Sequence, residues 1–199
     1  RPTSVANARG LISKRTTSEQ SGNYALRFDN AGKLQWMVWG SANNSGNVSS
    51  SSAIPTGAWT HVAITFDNSN NTTKFYINGE LDKTDTSNTR DLASNSQDIK
   101  IGYDGQHGYF QGKIDEVRIW SVVRTQSEIQ ANMNKSLTGS ESGLVAYYKM
   151  NDGSGTSLAD SSSNSNTGTL KNMTNANWVD GSASCCGGGE FFNITNVSG

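Results

Sequence analysis

Residues 58–84 have the sequence AWTHVAITFDNSNNTTKFYINGELDKT, and this stretch decides the fold. Apolar residues alternate with polar ones along it, which is the period of a β-strand whose two faces meet different surroundings. The residues predicted to share the core face are Val62, Ile64, Phe66, Phe75 and Ile77. Those predicted to face the other way are His61, Ala63 and Thr65. The pattern predicts two neighbouring strands of an antiparallel sheet.

The dipeptide Asn78-Gly79 marks the turn that follows these strands. A two-residue type I′ hairpin requires a positive φ at both central positions, and Asn and Gly tolerate that conformation best. The chain is therefore predicted to reverse at Asn78-Gly79, and Glu80 and Leu81 are predicted to begin the returning strand.

A second hairpin is predicted in YALRFDNAGKLQWMVW, residues 24–39, with its turn at residues 29–32. Alternation divides its second strand between a core face with Leu34, Trp36 and Val38 and an opposite face with Gln35, Met37 and Trp39. Trp36 is therefore expected in the core, together with Trp59 and Trp120, and Trp39 is the tryptophan expected to face outward.

Strand patterns recur along most of the chain, near residues 10–14, 23–28, 33–39, 59–67, 73–78, 80–85, 98–103, 112–120 and 144–150. One short helix is also predicted, because Thr125 and Glu128 form a capping box and Ile129 and Met133 lie four residues apart. The helix is predicted to end before Ser136. These patterns together indicate an all-β fold, an antiparallel β-sandwich with one short helix.

Three segments resemble a known family. The first is Trp-Thr-His-Val-Ala followed by Tyr-Ile-Asn-Gly within residues 59–79. The second is YFQGKIDEVRIWSVVRTQSEIQ, residues 109–130, and the third is GLVAYYKMNDGSGTSLADSSSNSNTGTL, residues 143–170. The first two segments resemble parts of the laminin-G-like, concanavalin A-like jelly-roll domains of secreted bacterial multidomain proteins, and the third resembles the stretch that often follows or precedes such a domain. The resemblance implies an extracellular or cell-surface location, and neighbouring domains of the same polypeptide as possible partners.

The domain boundaries follow from the same resemblance. Residues 1–181 are predicted to form one laminin-G-like sandwich, and residues 182–199 a Gly-rich linker or tail that includes Cys185-Cys186. The family usually places two strands before the position of residues 12–14, so these strands are expected to be missing or replaced here, or supplied by a preceding part of a longer polypeptide. Glu190–Ile194 is the one late segment apolar enough to fill the open edge.

Composition excludes some classes of function. The chain has 199 residues, of which 33% are hydrophobic and 17% charged, and its net charge is −1. That size and apolar content suit a single sandwich core. No basic stripe is present to neutralise phosphates, so nucleic acid is not an expected partner. No apolar run approaches the roughly 20 residues that a membrane-spanning helix needs, so membrane insertion is not expected.

A loop rich in oxygen-bearing side chains is the candidate for ion binding. Asp160, Asn164 and Asn166 lie at alternate positions of this loop, four and then two residues apart, and Ca²⁺ takes about 6 to 8 oxygen ligands, carboxylates first. An ordinary Asx-rich turn would have the same composition. The resemblance implies a structural Ca²⁺, because such domains often carry one, and Asp115 of the KIDEV segment is the further ligand expected.

Enzymatic templates fit the chain poorly. Asp115 and Glu116 suggest the paired carboxylates of a glycosidase, but adjacent residues of a strand point to opposite faces. The Glu-x-Asp-x-x-Glu arrangement of jelly-roll glucanases does not occur in the sequence, nor does the Gly-x-Ser-x-Gly of a serine hydrolase. The chain is therefore predicted not to be an enzyme.

The loop between the strands near residues 98–103 and 112–120 is the predicted ligand site. It brings together aromatic, amide, imidazole and carboxylate side chains, namely Tyr103, Asp104, Gln106, His107 and Tyr109, and Arg27 and Trp39 are the outward residues expected to join it. Sugars stack their C–H faces on aromatic rings while polar neighbours bond their hydroxyl groups. A long polar loop can also cover the end of a sandwich without binding anything.

These observations predict a non-catalytic carbohydrate-binding module that binds polysaccharide through loop and concave-face aromatics, with a structural Ca²⁺. The alternative is a structural or protein-adhesion spacer module in a tandem-domain surface protein. Exposed aromatics at the predicted site favour the carbohydrate hypothesis, and a featureless polar face would favour the spacer.

Overall fold

The computed structural model describes residues 1–6, 9–15, 24–39, 45–88, 92, 96–105, 108–180 and 190–194. The chain divides into two compact units, one of residues 2–111 and the other of residues 112–199 together with Arg1. Within the described residues, no helix has the length and apolar character needed to cross a membrane. Cys185 and Cys186 lie outside this part of the chain.

In the first unit, the elements that the structure describes are all strands. In chain order they are β1 (Pro2–Ser4), β2 (Gly10–Lys14), β3 (Tyr24–Phe28), β4 (Lys33–Trp39), β5 (Ser45–Ala53), β6 (Val62–Asp67), β7 (Thr72–Ile77), β8 (Glu80–Asp85) and β9 (Lys100–Ile101). One sheet has the order β5-β4-β3-β2-β9, and a second has the order β6-β7-β8. Every pair within these two sheets is antiparallel, as predicted.

The predicted hairpin between β7 and β8 is confirmed. Ile77 pairs with Glu80, and the two residues between them have positive φ, 51° for Asn78 and 80° for Gly79. These angles are the type I′ conformation that the dipeptide predicts. Asn78 also ties the turn to the start of β6, because its Oδ1 accepts a hydrogen bond from the backbone N–H of His61 at 3.1 Å.

The hairpin between β3 and β4 is confirmed as well, with Phe28 paired to Leu34 across the turn. Asp29 shapes this turn, since its Oδ1 accepts hydrogen bonds from the backbone N–H groups of Ala31 at 2.9 Å and Lys33 at 3.0 Å. An aspartate at the first turn position is a common Asx-turn device.

The two sheets of the first unit pack face to face. The ring of Trp36 on β4 lies 6.2 Å from that of Phe66 on β6 and stacks on Tyr24 at 5.3 Å. Leu34 and Val38, on the same face of β4 as Trp36, are fully buried. The core face predicted from alternation is therefore the one that meets the other sheet.

The opposite faces are not as exposed as alternation suggests. Thr65, predicted to face outward, is buried, and so is Tyr76 on β7. Met37 and Trp39 on β4 are also buried and cluster with Ala25 of β3. The prediction that Trp39 faces outward as a ligand contact is wrong: the residue is 3% exposed, and the Arg15 guanidinium lies 4.3 Å from its ring centroid.

The strand β5 was not predicted, because its sequence SGNVSSSSA has little apolar alternation. It pairs with β4 on one side, and side chains of β8 satisfy part of its other edge. Asp82 accepts hydrogen bonds from the backbone N–H groups of Ser51 and Ser52, and Lys83 Nζ donates to the carbonyl oxygen of Ser49 at 3.0 Å. Polar side chains thus close an edge that would otherwise be free to pair with another strand.

The second unit begins at the division within β10 (Gln111–Ile114). It continues with β11 (Val117–Trp120), α1 (Gln126–Asn132), β12 (Leu144–Tyr148), β13 (Ser157–Leu158), β14 (Gly168–Thr169), a 3₁₀ helix (Asn175–Asn177), β15 (Trp178–Asp180) and β16 (Glu190–Ile194). Antiparallel pairs join β11 to β12, β13 to β14, and β16 to both β10 and β15. The late segment Glu190–Ile194 therefore forms a strand within a sheet.

Two details of the second unit bear on the predictions. The capping box of α1 is confirmed, because Thr125 Oγ1 accepts from the N–H of Glu128 and the Glu128 carboxylate accepts from the N–H of Thr125. The single strand predicted near residues 112–120 is broken instead at Asp115 and Glu116. Glu116 has a φ of 52°, which ends one strand before the next begins.

Candidate functional site

The loop that follows β9 presents two tyrosines that stack on each other. The ring centroids of Tyr103 and Tyr109 lie 4.6 Å apart with their planes inclined by 22°, and the two residues form an antiparallel bridge. Both are partly exposed. Because their inner faces cover each other, the outer faces of the pair are the surface on which a ligand ring can stack. These two residues are called the tyrosine pair below.

Backbone contacts with β2 hold the tyrosine pair in place. Ser13 Oγ donates to the carbonyl oxygen of Tyr103 at 2.9 Å, and the N–H of Gly10 donates to the carbonyl oxygen of Gly108 at 3.3 Å. A Cβ at Gly10 would lie 2.0 Å from the backbone nitrogen of Asp104, so only glycine allows β2 to come this close.

A row of polar side chains crosses three strands beside the tyrosine pair. Asp104 is fully buried and lies 3.4 Å from Arg27 on β3. Arg27 Nε donates to Gln35 Oε1 on β4 at 2.8 Å, and Gln35 Nε2 donates to Ser49 Oγ on β5 at 3.4 Å. This polar row, Asp104, Arg27, Gln35 and Ser49, follows the strand register, in which Arg27 pairs with Gln35 and Gln35 pairs with Ser49.

The structure therefore brings together Tyr103, Asp104, Tyr109 and Arg27 from the predicted set. Trp39 is buried in the cluster with Ala25 and Met37, as described above. Gln106 and His107 lie outside the described residues. Sequence reasoning missed Gln35 and Ser49, although pairing Phe28 with Leu34 across the predicted turn would have placed Gln35 opposite Arg27.

Sequence reasoning also missed Arg9, which no motif distinguishes. Its Nη1 donates to the carbonyl oxygen of Tyr109 at 3.1 Å, and its own carbonyl oxygen accepts from the N–H of Phe28 at 2.9 Å. Arg9 therefore lies between β3 and the tyrosine pair. A basic residue immediately before a predicted strand gives no sign of such a contact.

The protonation of Tyr103 suits hydrogen-bond donation. Burial raises the pKa of Tyr103, and the nearby Tyr109 and Asp104 raise it further, while Arg15 lowers it. The hydroxyl group therefore keeps its proton at neutral pH and can donate to an oxygen of a ligand.

The loop predicted to bind calcium is held by hydrogen bonds to Asp160. Oδ1 of Asp160 accepts from the N–H groups of Tyr147 and Ser162, both at 2.8 Å. Oδ2 accepts from Ser162 Oγ at 2.8 Å and from the N–H of Asn166 at 2.7 Å. Burial tends to raise the pKa of Asp160, but the hydrogen bonds lower it overall. The carboxylate is thus ionised and surrounded by donors.

The two asparagines of that loop also bind protein groups. Asn164 Nδ2 donates to the carbonyl oxygens of Leu144 and Val145, and Asn166 Nδ2 donates to that of Val145, each at 3.0 Å. A Ca²⁺ ion needs free oxygen atoms, whereas here the Asp160 oxygens face N–H and O–H groups. In this geometry the loop does not fit a calcium ion, and no group of three or more acidic, His or Cys side chains suited to a metal occurs among the described residues.

Asp115, the other predicted calcium ligand, has an unusual environment. Burial, and then the charge of Glu116, raise the pKa of Asp115 to about 7. The carboxylate of Glu116 is held by two side chains. Its Oε2 lies 2.6 Å from Arg118 Nη2 and accepts a hydrogen bond from the Tyr147 hydroxyl at 2.6 Å. Glu116 therefore positions β11 against β12, and its carboxylate is not free for acid or base chemistry.

The chain is similar in sequence to a known family. A sequence profile described as the concanavalin A-like lectin/glucanases superfamily matches residues 1–130, which contain the tyrosine pair and the polar row. No curated protein matches the chain.

Among solved structures, a candidate carbohydrate-binding protein from Bacteroides ovatus matches with a TM-score of 0.65 and 24% identity, over 86% of this chain. This chain spans about half of that protein, 52% of its length. The CBM40 module of the Ruminococcus gnavus IT-sialidase, bound to α2,3-sialyllactose, matches with a TM-score of 0.52 and 22% identity, over 66% of this chain and 76% of the module. At these identities the likeness establishes the fold.

Proposed function

This chain belongs to the concanavalin A-like lectin/glucanase superfamily, and from that membership we propose that it is a non-catalytic carbohydrate-binding module of a secreted or cell-surface protein. Its ligand is a polysaccharide or glycan. Two structural neighbours with the same fold carry carbohydrate-binding names, which supports the class of ligand and leaves the individual sugar open.

The observation that carries the proposal is the tyrosine pair beside the polar row. A sugar ring stacks its C–H face on the outer face of the pair, and its hydroxyl groups bond to the Tyr103 hydroxyl and to the partly exposed Gln35 and Ser49 of the polar row. Arg27 is ion-paired to Asp104 and bonded to Gln35, so these side chains are already oriented before a ligand arrives. Such preorganisation lowers the entropic cost of binding.

The absence of catalysis is part of the proposal. The Glu116 carboxylate is ion-paired to Arg118 and accepts a hydrogen bond from the Tyr147 hydroxyl. Asp115 therefore has no free carboxylate beside it that could act with it on a glycosidic bond. Beside the tyrosine pair, the acidic side chain that the structure describes is Asp104, which is fully buried and ion-paired to Arg27. A glycosidase requires two carboxyl groups on either side of the scissile bond.

Calcium remains a prediction of the resemblance. Asp160 already holds its loop through four hydrogen bonds, so the module we propose needs no ion at that position. A thermal unfolding curve in Ca²⁺ and in chelator tests this, because an ion that binds only the native state raises the melting temperature.

Affinity electrophoresis through gels containing soluble polysaccharides tests the function. The wild-type chain is expected to be retarded by at least one polysaccharide, and Tyr109→Ala and Tyr103→Ala to migrate faster with unchanged melting temperatures. Leu81→Ala is the matched control, because Leu81 is 46% exposed on β8 of the same unit and lies outside the site. Absence of retardation across a broad panel would favour the spacer or adhesion module instead.

A further inference from the structure

Arg9 carries a positive charge at the edge of the proposed sugar site. Its Nη1 contacts the carbonyl oxygen of Tyr109 at 3.1 Å, so the guanidinium group lies directly against the backbone of the tyrosine pair. The side chain is partly buried, and the backbone of Arg9 is fixed by the hydrogen bond from Phe28. The position of the charge is therefore set by contacts on both sides.

The charge of Arg9 is not paired among the described residues. Arg27 is matched by Asp104 at 3.4 Å. Arg9, in contrast, has no acidic side chain within ion-pair distance in the part of the chain that the structure describes; the pairs found there involve Arg27, Lys83, Arg118 and Arg124. Arg9 therefore brings a positive charge to the tyrosine pair that is available to an anion.

The guanidinium group of Arg9 also has unused donors. A guanidinium carries five N–H groups, and one of them is bonded to Tyr109. Its Nε is buried and has no hydrogen-bond acceptor among the described residues, so a ligand would contact the Nη groups. A carboxylate is the acceptor that fits a guanidinium best.

We propose that Arg9 makes this module select glycans that contain carboxylate-bearing sugars, with the carboxylate bound by the Arg9 guanidinium while the sugar ring stacks on the tyrosine pair. This inference rests on the proposed function, because it names the class of sugar bound at the same site. Arg9 supplies the positive charge for this contact, because Arg27 is already ion-paired to Asp104.

A purely structural role for Arg9 makes a different prediction. The hydrogen bond to the Tyr109 carbonyl is made by Nη1 at the tip of the side chain. Arg9→Gln removes the charge and is also too short to replace Nη1, whereas Arg9→Lys keeps the charge and loses the planar two-pronged geometry. A purely structural role therefore predicts that Arg9→Gln weakens binding of acidic and neutral polymers alike, and recognition of an anion predicts that it weakens binding of the acidic polymer more.

The experiment compares matched polymers that differ only in their carboxylates. Polygalacturonate, hyaluronan and polysialic acid are each tested beside the same polymer after chemical reduction of its carboxyl groups to alcohols, by affinity electrophoresis and titration calorimetry. For at least one pair, wild type is expected to bind the acidic polymer about tenfold more tightly than the reduced one, which corresponds to one charge-assisted contact. The preference should shrink as salt rises.

The variants decide whether Arg9 causes the preference. Arg9→Gln should lose the preference and bind both members of the pair equally, Arg9→Lys should keep part of the preference, and Tyr109→Ala should lose binding to both. Equal binding of the two members by wild type, binding of neutral polymers alone, or an undiminished preference in Arg9→Gln would overturn this inference and leave the proposed function intact. Failure to bind any acidic or neutral polymer would overturn both.

Discussion

The Asp82 carboxylate on β8 accepts a hydrogen bond from the backbone N–H of Ser51 on β5 at 2.6 Å, and a second from that of Ser52 at 3.1 Å. A charged side chain of one sheet thereby satisfies part of the backbone hydrogen bonding of an edge strand in the other. Edge strands with free N–H and C=O groups pair readily with other chains, so this contact protects β5 as well as stabilising it.

Removing that carboxylate is expected to weaken the first unit. Asp82→Ala should lower the free energy of unfolding by about 1–3 kcal/mol, because two backbone N–H groups lose a charged acceptor. It should also increase self-association of the chain. Urea unfolding and size-exclusion chromatography measure the two effects, with Asp98→Ala as control, since Asp98 is exposed in the same unit. Equal stability of the two variants would contradict this account of β5.

Asp160 is expected to stabilise its loop without calcium. Asp160→Asn should lower the free energy of unfolding by about 1–3 kcal/mol, because an amide NH₂ group would face donors in place of a carboxylate oxygen. The loss should be equal in Ca²⁺ and in chelator. A melting temperature of the wild type that rises with Ca²⁺, and an Asp160→Asn variant that no longer responds, would instead establish the calcium site that the resemblance implies.

Asp160 is also expected to make the free energy of unfolding depend on pH in the acid range. Its pKa is lower in the folded chain than in the unfolded chain, so its contribution is present above the ordinary carboxyl pKa and is lost as pH falls through the folded value. Asp160→Asn should therefore be most destabilised relative to wild type near neutral pH, and the difference should narrow in acid.

Asp115 is expected to give the opposite dependence of stability on pH. Its folded pKa is raised to about 7 by burial and by Glu116, so the folded chain holds a proton that the unfolded chain releases. Stability from this group is complete below the ordinary carboxyl pKa and declines as pH rises to about 7. Melting temperatures of wild type and Asp115→Asn between pH 4 and pH 8 test this, and the variant should lack that decline. Parallel profiles would show that Asp115 does not titrate in this range.

Trp39 is expected to matter for stability and not for binding. Trp39→Ala should cost about 3–5 kcal/mol in the free energy of unfolding, because it leaves a cavity beside Ala25 and Met37 and removes the surface under Arg15. The measurement is chemical unfolding, with polysaccharide binding assayed under conditions where the variant is folded. A stable variant that fails to bind would return Trp39 to the ligand site.

The hairpins could be predicted because their signals are local. Asn78-Gly79 accepts positive φ at two successive positions, and alternation on either side of the turn fixes which residues pair. The capping box at Thr125 is equally local, since both partners lie within one helical turn. In these places short-range stereochemistry and long-range packing favour the same structure.

Features that depend on distant partners could not be predicted. Alternation placed Trp39 on the correct face of β4, but it does not reveal what covers that face. β5 is a strand because β4 and β8 provide its hydrogen bonds, and its serine-rich sequence alone gives no strand signal. Asp160 has the side chain of a calcium ligand, and the sequence does not show that backbone N–H groups occupy its oxygens.

The proposed function depends most directly on where a sugar contacts the chain. Saturation-transfer and chemical-shift NMR locate that contact, with an oligosaccharide cut from the polymer that retards the chain most. The ring protons of Tyr103 and Tyr109 are expected to shift and to exchange magnetisation with the sugar protons, and Tyr109→Ala is expected to abolish the transfer. Transfer confined to other residues, with the tyrosine rings unperturbed at saturating ligand, would contradict the proposed function.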